Sequence, residues 1–435
     1  MLPRLRPTRI AAALAMVTIG TSAFSQSPTP TEVELARKLD QLAAELAAVK
    51  AQLATLQQQR AAQAQAPAAA ASAPPATAAA TEAASPSAPA TVFSGYAELN
   101  YNRPTKQPEN TQADLRRFVL GVQHRFSPTT KMVGELEVEH GVSSASDPGE
   151  VALEQAYIEH QLGGTWAARG GLFLIPIGLL NESHEPTAYY GVERNFVETA
   201  IIPTTWREGG VQMIGQFGNG ITLQTGISTG FDLTKWDATS TEGQESPLGS
   251  IHQELAQAKA ANLSLFGAVN WRGMPGLLVG GGVFTGDATQ RQSVATSRVT
   301  LWDLHTRWTP GRWDLSALYT RGTISNTAAL NASLVGNPTL IPSAFDGYYV
   351  QAAYKLWSQQ DYSLSPFVRW ERFNTGKSYA DLGPGLTPTP LPTETVWTTG
   401  ANFQLTPGVV VKADYQWFSQ AKDSNRLNLG LGWSF

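Results

Sequence analysis

Hydrophobic and polar residues alternate along most of the chain from residue 92 to the C-terminus. In the last segment, Leu427, Leu429 and Leu431 fall on one face, whereas polar or small residues fill the other. Alternation with a period of two predicts strands that have one apolar and one polar face. Segments of this kind begin near residues 92, 115, 131, 151, 166, 209, 221, 259, 277, 298, 312, 346, 363, 395, 409 and 426.

The connections between these sixteen segments are alternately short and long. The short ones carry turn residues such as Gly163-Gly164 and Pro407-Gly408. The longest are residues 177–208, 231–258, 324–345 and 374–394. An even strand number with short turns on one rim and long loops on the other is typical of outer-membrane barrels. The sequence therefore predicts an all-β protein, a 16-stranded antiparallel transmembrane β-barrel over residues 92–435.

The composition of the two faces favours a membrane barrel over a soluble β-sandwich. The small-residue face carries too few Lys and Glu residues for a face in bulk solvent. Several tryptophans fall on the apolar phase close to short turns or to the C-terminus, where a membrane interface would hold their rings. These are Trp166, Trp271, Trp308, Trp313 and Trp433.

The residues before the barrel divide into three segments. Arg4, Arg6 and Arg9 precede an apolar stretch that ends in small residues, which predicts a signal peptide over 1–25. Residues 31–60 are predicted as a short coiled-coil helix in the periplasm. Its apolar positions recur at alternating spacings of four and three, at Leu35, Leu39, Leu42, Leu46, Val49, Leu53 and Leu56. Residues 61–91 are rich in Ala and Pro and are predicted to be a disordered linker.

Composition also limits the functional classes. The chain of 435 residues has no Cys and a net charge of -4, so Cys-ligated metals and nucleic-acid binding are not expected. The six His residues are scattered along the chain, and only Ser183-His184 forms an adjacent pair. Asp303 and His305 share one face, but no third metal ligand lies nearby. We therefore expect no enzyme, no cofactor and no metal site.

One stretch resembles a known family. Residues 171–178, Gly-Leu-Phe-Leu-Ile-Pro-Ile-Gly, are similar to the G-x-F-x-x-P-x-G motif of the phosphate-selective porin O and P family. Glu193-Arg194 and the run from Arg207 to Val211 extend the similarity. The resemblance implies an outer-membrane porin that assembles as a homotrimer, with the terminal Phe435 as its assembly signal.

Charged residues of both signs fall on the inward phase of the predicted strands. They are expected to line a water-filled lumen, where some form salt bridges along the wall. The candidate pore-lining residues are Arg117, Arg125, Lys131, Glu135, Glu137, Glu139, Arg169, Asp303, Arg307, Arg369, Lys412 and Asp414.

The connection 177–208 is the candidate constriction loop, because it is long and its apolar residues require burial inside the barrel. The alternative is an external lid that leaves the lumen open. The loop has no Lys, whereas phosphate-selective members of the family use Lys at the constriction, so weak or moderate ion selectivity is expected. Its candidate site residues are Glu182, Glu185, Glu193, Arg194, Glu198, Arg207 and Glu208.

The predicted function is passive diffusion of small hydrophilic solutes and ions, including phosphate or other anions, across the outer membrane of a Gram-negative cell. The expected partners are the lipid bilayer, two further copies of the chain and the solutes. The alternative is an envelope tether, in which the coiled coil links the barrel to another layer of the cell envelope.

Overall fold

The structure, a computed structural model, describes residues 90–142, 149–292, 295–333 and 340–435. The predicted signal peptide and coiled coil lie outside the described residues, as does the predicted linker up to residue 89. Within the described ranges, no helix is long and apolar enough to cross a membrane.

The described chain is dominated by β-strands, all joined in one sheet. The strands are β1 Ala90–Pro104, β2 Gln112–Ser127, β3 Thr130–Glu139, β4 Val151–Gly163, β5 Trp166–Leu174, β6 Arg207–Gln216, β7 Ile221–Ser228, β8 Ser264–Met274, β9 Leu277–Asp287, β10 Arg298–Trp308, β11 Trp313–Ile324, β12 Ala344–Tyr354, β13 Trp357–Gln359, β14 Tyr362–Ser378, β15 Glu394–Thr406, β16 Val409–Phe418 and β17 Arg426–Ser434.

The sheet closes into a barrel, because β1 pairs with both β2 and β17. All neighbouring strands are antiparallel, and β12 and the short β13 both pair with β14. These two strands share one position of the wall, so the barrel has sixteen strand positions. The predicted 16-stranded antiparallel barrel is thus confirmed.

The strand predicted near residue 259 begins instead at Ser264. The neighbouring strand β7 ends at Ser228, which pairs with Ser264, so residues before 264 have no strand to join. The backbone N–H groups of these residues instead donate to side chains. The N–H of Lys259 donates to Oε1 of Gln253 (2.7 Å), and the N–H of Asn262 donates to Oε1 of Gln290 (3.0 Å). The long connection before β8 is therefore longer than the sequence predicts.

In the part of the chain that the structure describes, the helices are short and lie in the connections. Two α-helices are α1 Thr241–Glu245 and α2 Thr327–Ser333. Single turns of 3-10 helix cover Pro108–Asn110, Leu233–Lys235, Gly249–Ile251 and Lys422–Ser424, and a π-helical turn covers Val197–Ile201.

The two faces of the wall have opposite polarity. On β17, Leu429 is 45% exposed on the outer face, whereas the neighbouring Asn428 is fully buried on the inner face. Large apolar side chains cover the outside of many strands, which suits contact with lipid. Trp308 and Trp313 are both exposed on this outer surface beside the short turn between β10 and β11, as the sequence predicts.

Candidate constriction of the pore

The two ends of the connection between β5 and β6 are hydrogen-bonded to each other where the connection leaves the wall. The N–H of Ile175 donates to the carbonyl of Trp206 (3.0 Å). The side chain of Asn181 bridges the same two residues: Nδ2 donates to both carbonyls (2.7 and 2.8 Å), and Oδ1 accepts from the N–H of Trp206 (2.7 Å). We call residues 175–206 the inner loop.

The base of the inner loop is apolar and packs inside the barrel. Ile175, Ile177 and Trp206 are completely buried. The indole of Trp206 contacts the rings of Phe231 and Phe284, with centroids 5.1 and 4.5 Å away. Burial of this apolar surface away from water holds the loop within the lumen.

Glycines on the inner wall make room for the inner loop. A Cβ atom at Gly282 would lie 2.6 Å from Cδ1 of Ile177. On the opposite wall, a Cβ atom at Gly432 would lie 2.4 Å from Cβ of Pro186. The small residues that alternate with leucines in β17 therefore face the loop, and any larger side chain there would push it away.

Glu198 holds the inner loop in its folded shape. Its carboxylate accepts hydrogen bonds from the N–H groups of Leu179 (2.5 Å) and Leu180 (2.8 Å). It also accepts from Nδ2 of Asn195 (2.8 Å) and from the hydroxyl of Tyr349 on β12 (2.9 Å). The side chain is 4% exposed, so this candidate constriction residue acts as an internal anchor.

The tip of the inner loop is bound to β15 and β16. The N–H of Val192 donates to Oδ2 of Asp414 (2.6 Å), and the N–H of Gly191 donates to Oδ1 of Asn402 (3.3 Å). Nδ2 of Asn402 donates in turn to the carbonyl of Tyr189 (3.0 Å). Since the loop starts at β5, these contacts carry it across the lumen.

Charged wall residues reinforce the attachment of the tip. Nη1 of Arg369 donates to the carbonyl of Tyr190 (3.1 Å), while its Nε pairs with Oε1 of Glu371 (2.9 Å). The ammonium of Lys412 lies 3.6 Å from the ring centroid of Tyr189, a cation–π contact. Arg369 and Lys412, predicted from the sequence as lumen residues, bind the loop directly.

Three further candidate residues belong to the same loop. Glu193 accepts from Nδ2 of Asn102 on β1 (2.7 Å). Arg194 donates to the hydroxyl of Thr204 (2.7 Å) and to the carbonyl of His184 (3.2 Å). Glu185 is half-buried.

The start of β6 contributes the last two candidates of the loop region. Nη2 of Arg207 pairs with Oε1 of Glu254 in the connection between β7 and β8 (2.7 Å). Glu208 is fully buried and accepts from the hydroxyl of Thr229 (2.5 Å) and from the indole N–H of Trp206 (3.3 Å). Glu208 thus joins the end of the inner loop to β6, whereas Arg207 joins β6 to the connection between β7 and β8.

His184 of the inner loop contacts a buried carboxylate on β4. Its Nδ1 donates to the carbonyl of Asn181 (2.9 Å), because a carbonyl oxygen can only accept. Its Nε2 lies 3.5 Å from Oε1 of Glu154, whose side chain is completely buried. This contact attaches the loop to the wall at a further position, on β4.

On strands β1 to β5, the predicted pore-lining charges form two ion-pair groups. In the first, Arg117 pairs with Glu98 (2.8 Å) and lies 3.4 Å from Glu137 and 3.5 Å from Glu139. The second group consists of Glu159 with Lys131 (3.0 Å) and Arg169 (3.1 Å).

Three other residues predicted to place a charge in the lumen differ in the partners of their side chains. Glu135 accepts from the side chain of Gln155. Arg307 is bidentate to Asp314 (3.0 and 2.7 Å). Arg125 is exposed near the end of β2.

Asp303 and His305 belong to a hydrogen-bonded network. Nδ1 of His305 bonds to Oδ2 of Asp303, and its Nε2 contacts Oδ1 of Asn270 (2.8 Å). Asp303 also accepts from the N–H of Gly178 in the inner loop (3.2 Å). Among the described residues, no group of three or more His, Asp or Glu side chains is arranged to hold a metal ion.

Open space remains between the inner loop and strands β8 to β14. Glu182 is exposed and accepts from Nε2 of Gln224 (3.1 Å). Arg272, Tyr190 and Gln351 line the space. None of them is among the candidate site residues named from the sequence, although Tyr190 lies in the predicted constriction loop. The alternation in β8 could have found Arg272, because it continues the inward phase of Ser264, Phe266, Ala268 and Asn270.

The barrel region matches a known protein family. Residues 91–428 match the sequence model of the family described as phosphate-selective porin O and P. The chain belongs to this family. A relative from Aquifex aeolicus, an uncharacterized protein, is 27% identical over 353 residues, which cover 78% of this chain and 79% of that one.

Several solved structures share the barrel of this porin. OmpF of Salmonella typhi, in complex with daunomycin, aligns with a TM-score of 0.56 at 14% identity over 79% of this chain and 97% of that chain. The outer membrane channel DcaP of Acinetobacter baumannii gives 0.52 at 13% identity over 80% and 97%. An anion-selective porin from Comamonas acidovorans gives 0.51 at 12% identity over 80% and 100%.

At these identities the likeness to solved structures concerns the fold. Together with the family match, it identifies the protein as an outer-membrane channel of the porin type.

Proposed function

We propose that this porin carries small hydrophilic solutes and ions across the outer membrane by passive diffusion, with residues 177–208 as its constriction. The observation that carries the proposal is the course of the inner loop, which is bonded to Asp414 and Asn402 on strands remote from β5, where it starts. A loop fixed in this way narrows the lumen without a moving lid. The contacts therefore favour a constriction over an external cover.

The charge arrangement supports weak ion selectivity. Arg117, Arg307 and Arg369 each have a carboxylate partner on the wall, at 2.8, 2.7 and 2.9 Å respectively. Paired charges produce a smaller field in the lumen than isolated ones, so neither anions nor cations are strongly excluded. Phosphate and other anions would pass as members of a broader group of solutes.

The proposed assembly is a homotrimer in the lipid bilayer. The support is the match to the porin family, whose resemblance implies trimeric assembly. The apolar outer surface of the barrel is compatible with it, because such a surface can contact either lipid or another copy of the chain.

The proposal can be tested by swelling of liposomes that contain the refolded protein. In iso-osmotic solutions of sugars of increasing size, we expect fast swelling with small sugars and slower swelling as the solute grows. Protein-free liposomes and liposomes with heat-denatured protein are the controls. Swelling no faster than these controls, from protein shown to be folded, would contradict the proposal.

A further inference from the structure

A cavity of about 370 Å³ lies between the inner loop and the wall strands β8 to β14. Its size is within the range of small-molecule sites in proteins. The loop side includes Leu179, Leu180 and Tyr190, and the wall side includes Arg272, Leu278 and Arg307. Apolar and cationic side chains thus border the same space.

The wall side of the cavity offers guanidinium donors. Arg272 is exposed on the inward phase of β8, and its side chain makes no hydrogen bond or ion pair with any residue that the structure describes. Arg307 uses Nε and Nη2 for Asp314, and within the described chain its Nη1 has no partner. Both guanidinium groups border the same cavity, so each can donate hydrogen bonds to a carboxylate bound there.

The apolar side of the cavity would suit a compact hydrocarbon body. Leu179 and Leu180 are held in place because their N–H groups donate to Glu198 (2.5 and 2.8 Å). Leu278 borders the cavity from the inner phase of β9, close to Met274 at the end of β8. Contact with these side chains would remove apolar ligand surface from water.

We infer that this cavity binds organic carboxylates that have a compact apolar body, such as an aromatic ring. The carboxylate lies against Arg272 and Arg307, and the ring lies against Leu179, Leu180 and Leu278. The inference rests on the proposed function, because such a solute reaches the cavity through the lumen.

Inorganic phosphate fits the same space less well. A phosphate dianion is strongly hydrated, and it loses water wherever it meets the leucine side chains without gaining hydrogen bonds. The charge of Arg307 is already balanced by Asp314. The cavity therefore favours a monoanion with an apolar part over a small, doubly charged anion.

The test compares benzoate, inorganic phosphate and benzyl alcohol as blockers of single-channel current through the wild-type protein. We expect benzoate to reduce the current at a concentration about ten-fold lower than phosphate does. Benzyl alcohol, which has the ring without the charge, is expected not to block. Arg272→Gln should raise the half-blocking concentration of benzoate about five-fold.

A matched variant controls for the loss of one positive charge. Arg312→Gln removes an exposed arginine on the short turn between β10 and β11, outside the cavity, and should leave block by benzoate unchanged. Leu278→Ser should weaken block by benzoate while leaving block by phosphate unchanged. The heat-modifiable mobility of each variant on gels shows whether its barrel is folded.

Calorimetric titration of the detergent-solubilised protein with benzoate separates this inference from the proposed function. If the channel opens but shows neither preferential block by benzoate nor measurable heat of benzoate binding, the inference is overturned and the proposed channel function stands. If the folded protein shows no openings but binds benzoate, and Arg272→Gln weakens that binding, the result supports the site and overturns the proposed function.

Discussion

The N–H of Val192 donates a 2.6 Å hydrogen bond to Oδ2 of Asp414, a residue 222 positions further along the chain. Asp414 also accepts from Nδ2 of Asn428 on the neighbouring strand (2.7 Å). One carboxylate thus joins the tip of the inner loop to two strands of the wall.

Replacing Asp414 by Ala should release the tip of the inner loop. The buried N–H of Val192 would lose its acceptor, at a cost of about 1 to 3 kcal/mol. We expect larger and noisier single-channel currents, because the loop would move within the lumen. Asp423→Ala, which removes an exposed carboxylate paired with Lys106, is the control. Equal current noise in the Asp414→Ala and Asp423→Ala variants would contradict the conclusion that Asp414 holds the tip of the loop in place.

Removal of Glu198 should weaken the fold of the inner loop itself. Glu198→Ala deprives the N–H groups of Leu179 and Leu180 of their acceptor, with an expected loss of about 1.5 to 3 kcal/mol in the free energy of unfolding. Tyr349→Phe removes one hydrogen bond to the same carboxylate and should cost about 1 kcal/mol. Denaturant unfolding of both variants measures the difference. A larger loss for Tyr349→Phe would contradict the anchoring role of Glu198.

Truncation of Trp206 should destabilise the apolar base of the loop. The side chain is fully buried against Phe231 and Phe284, so Trp206→Ala should cost about 3 to 5 kcal/mol. Trp206→Phe keeps much of the packing and should cost less. The free energy of unfolding in lipid vesicles, measured with a denaturant, checks both values. A neutral Trp206→Ala variant would show that the base of the loop is held by other contacts.

The connection between β7 and β8 should respond to pH through His252. Burial lowers the pKa of His252, but its hydrogen bond with Glu242 and the charge of Glu254 outweigh this, so the pKa lies above the usual 6.5. The stabilisation from protonated His252 is therefore complete below pH 6.5 and is lost as pH rises through the raised pKa.

NMR titration of the His252 ring measures this effect. We expect a midpoint above 6.5 in the wild type, and a lower midpoint in Glu242→Gln, which keeps the side-chain size but removes the charge. Susceptibility of residues 229–263 to protease should increase over the same pH interval. A midpoint at or below 6.5 in the wild type would refute the proposed stabilisation by Glu242 and Glu254.

The wall of the barrel could be predicted from the sequence, because lipid and water face alternate residues of every strand. Strands such as β5 and β17 begin where the alternation begins, at Trp166 and Arg426. The start of β8 differs from the prediction because side chains of Gln253 and Gln290 compete for the backbone donors that precede it. Such competition depends on the folded loop and leaves no periodic signal.

The inner loop could be located in the sequence, but its contacts could not be derived. Its length and apolar residues predict burial, and the inward phase identifies Asp414 and Lys412 as lumen residues. The contact between Asp414 and Val192 depends on where the loop crosses the barrel. No local sequence pattern encodes the course of the loop. Glu198 likewise gives no sequence signal that distinguishes an internal anchor from a residue exposed in the pore.

We propose that the barrel encloses an open but narrowed aqueous path. Single-channel recording in a planar bilayer, with the reversal potential measured under a KCl gradient, tests this most directly. We predict stepwise openings with a weak preference for either ion. An absence of openings from verified folded protein would contradict the open path, and near-perfect selectivity for one ion would contradict the paired lumen charges.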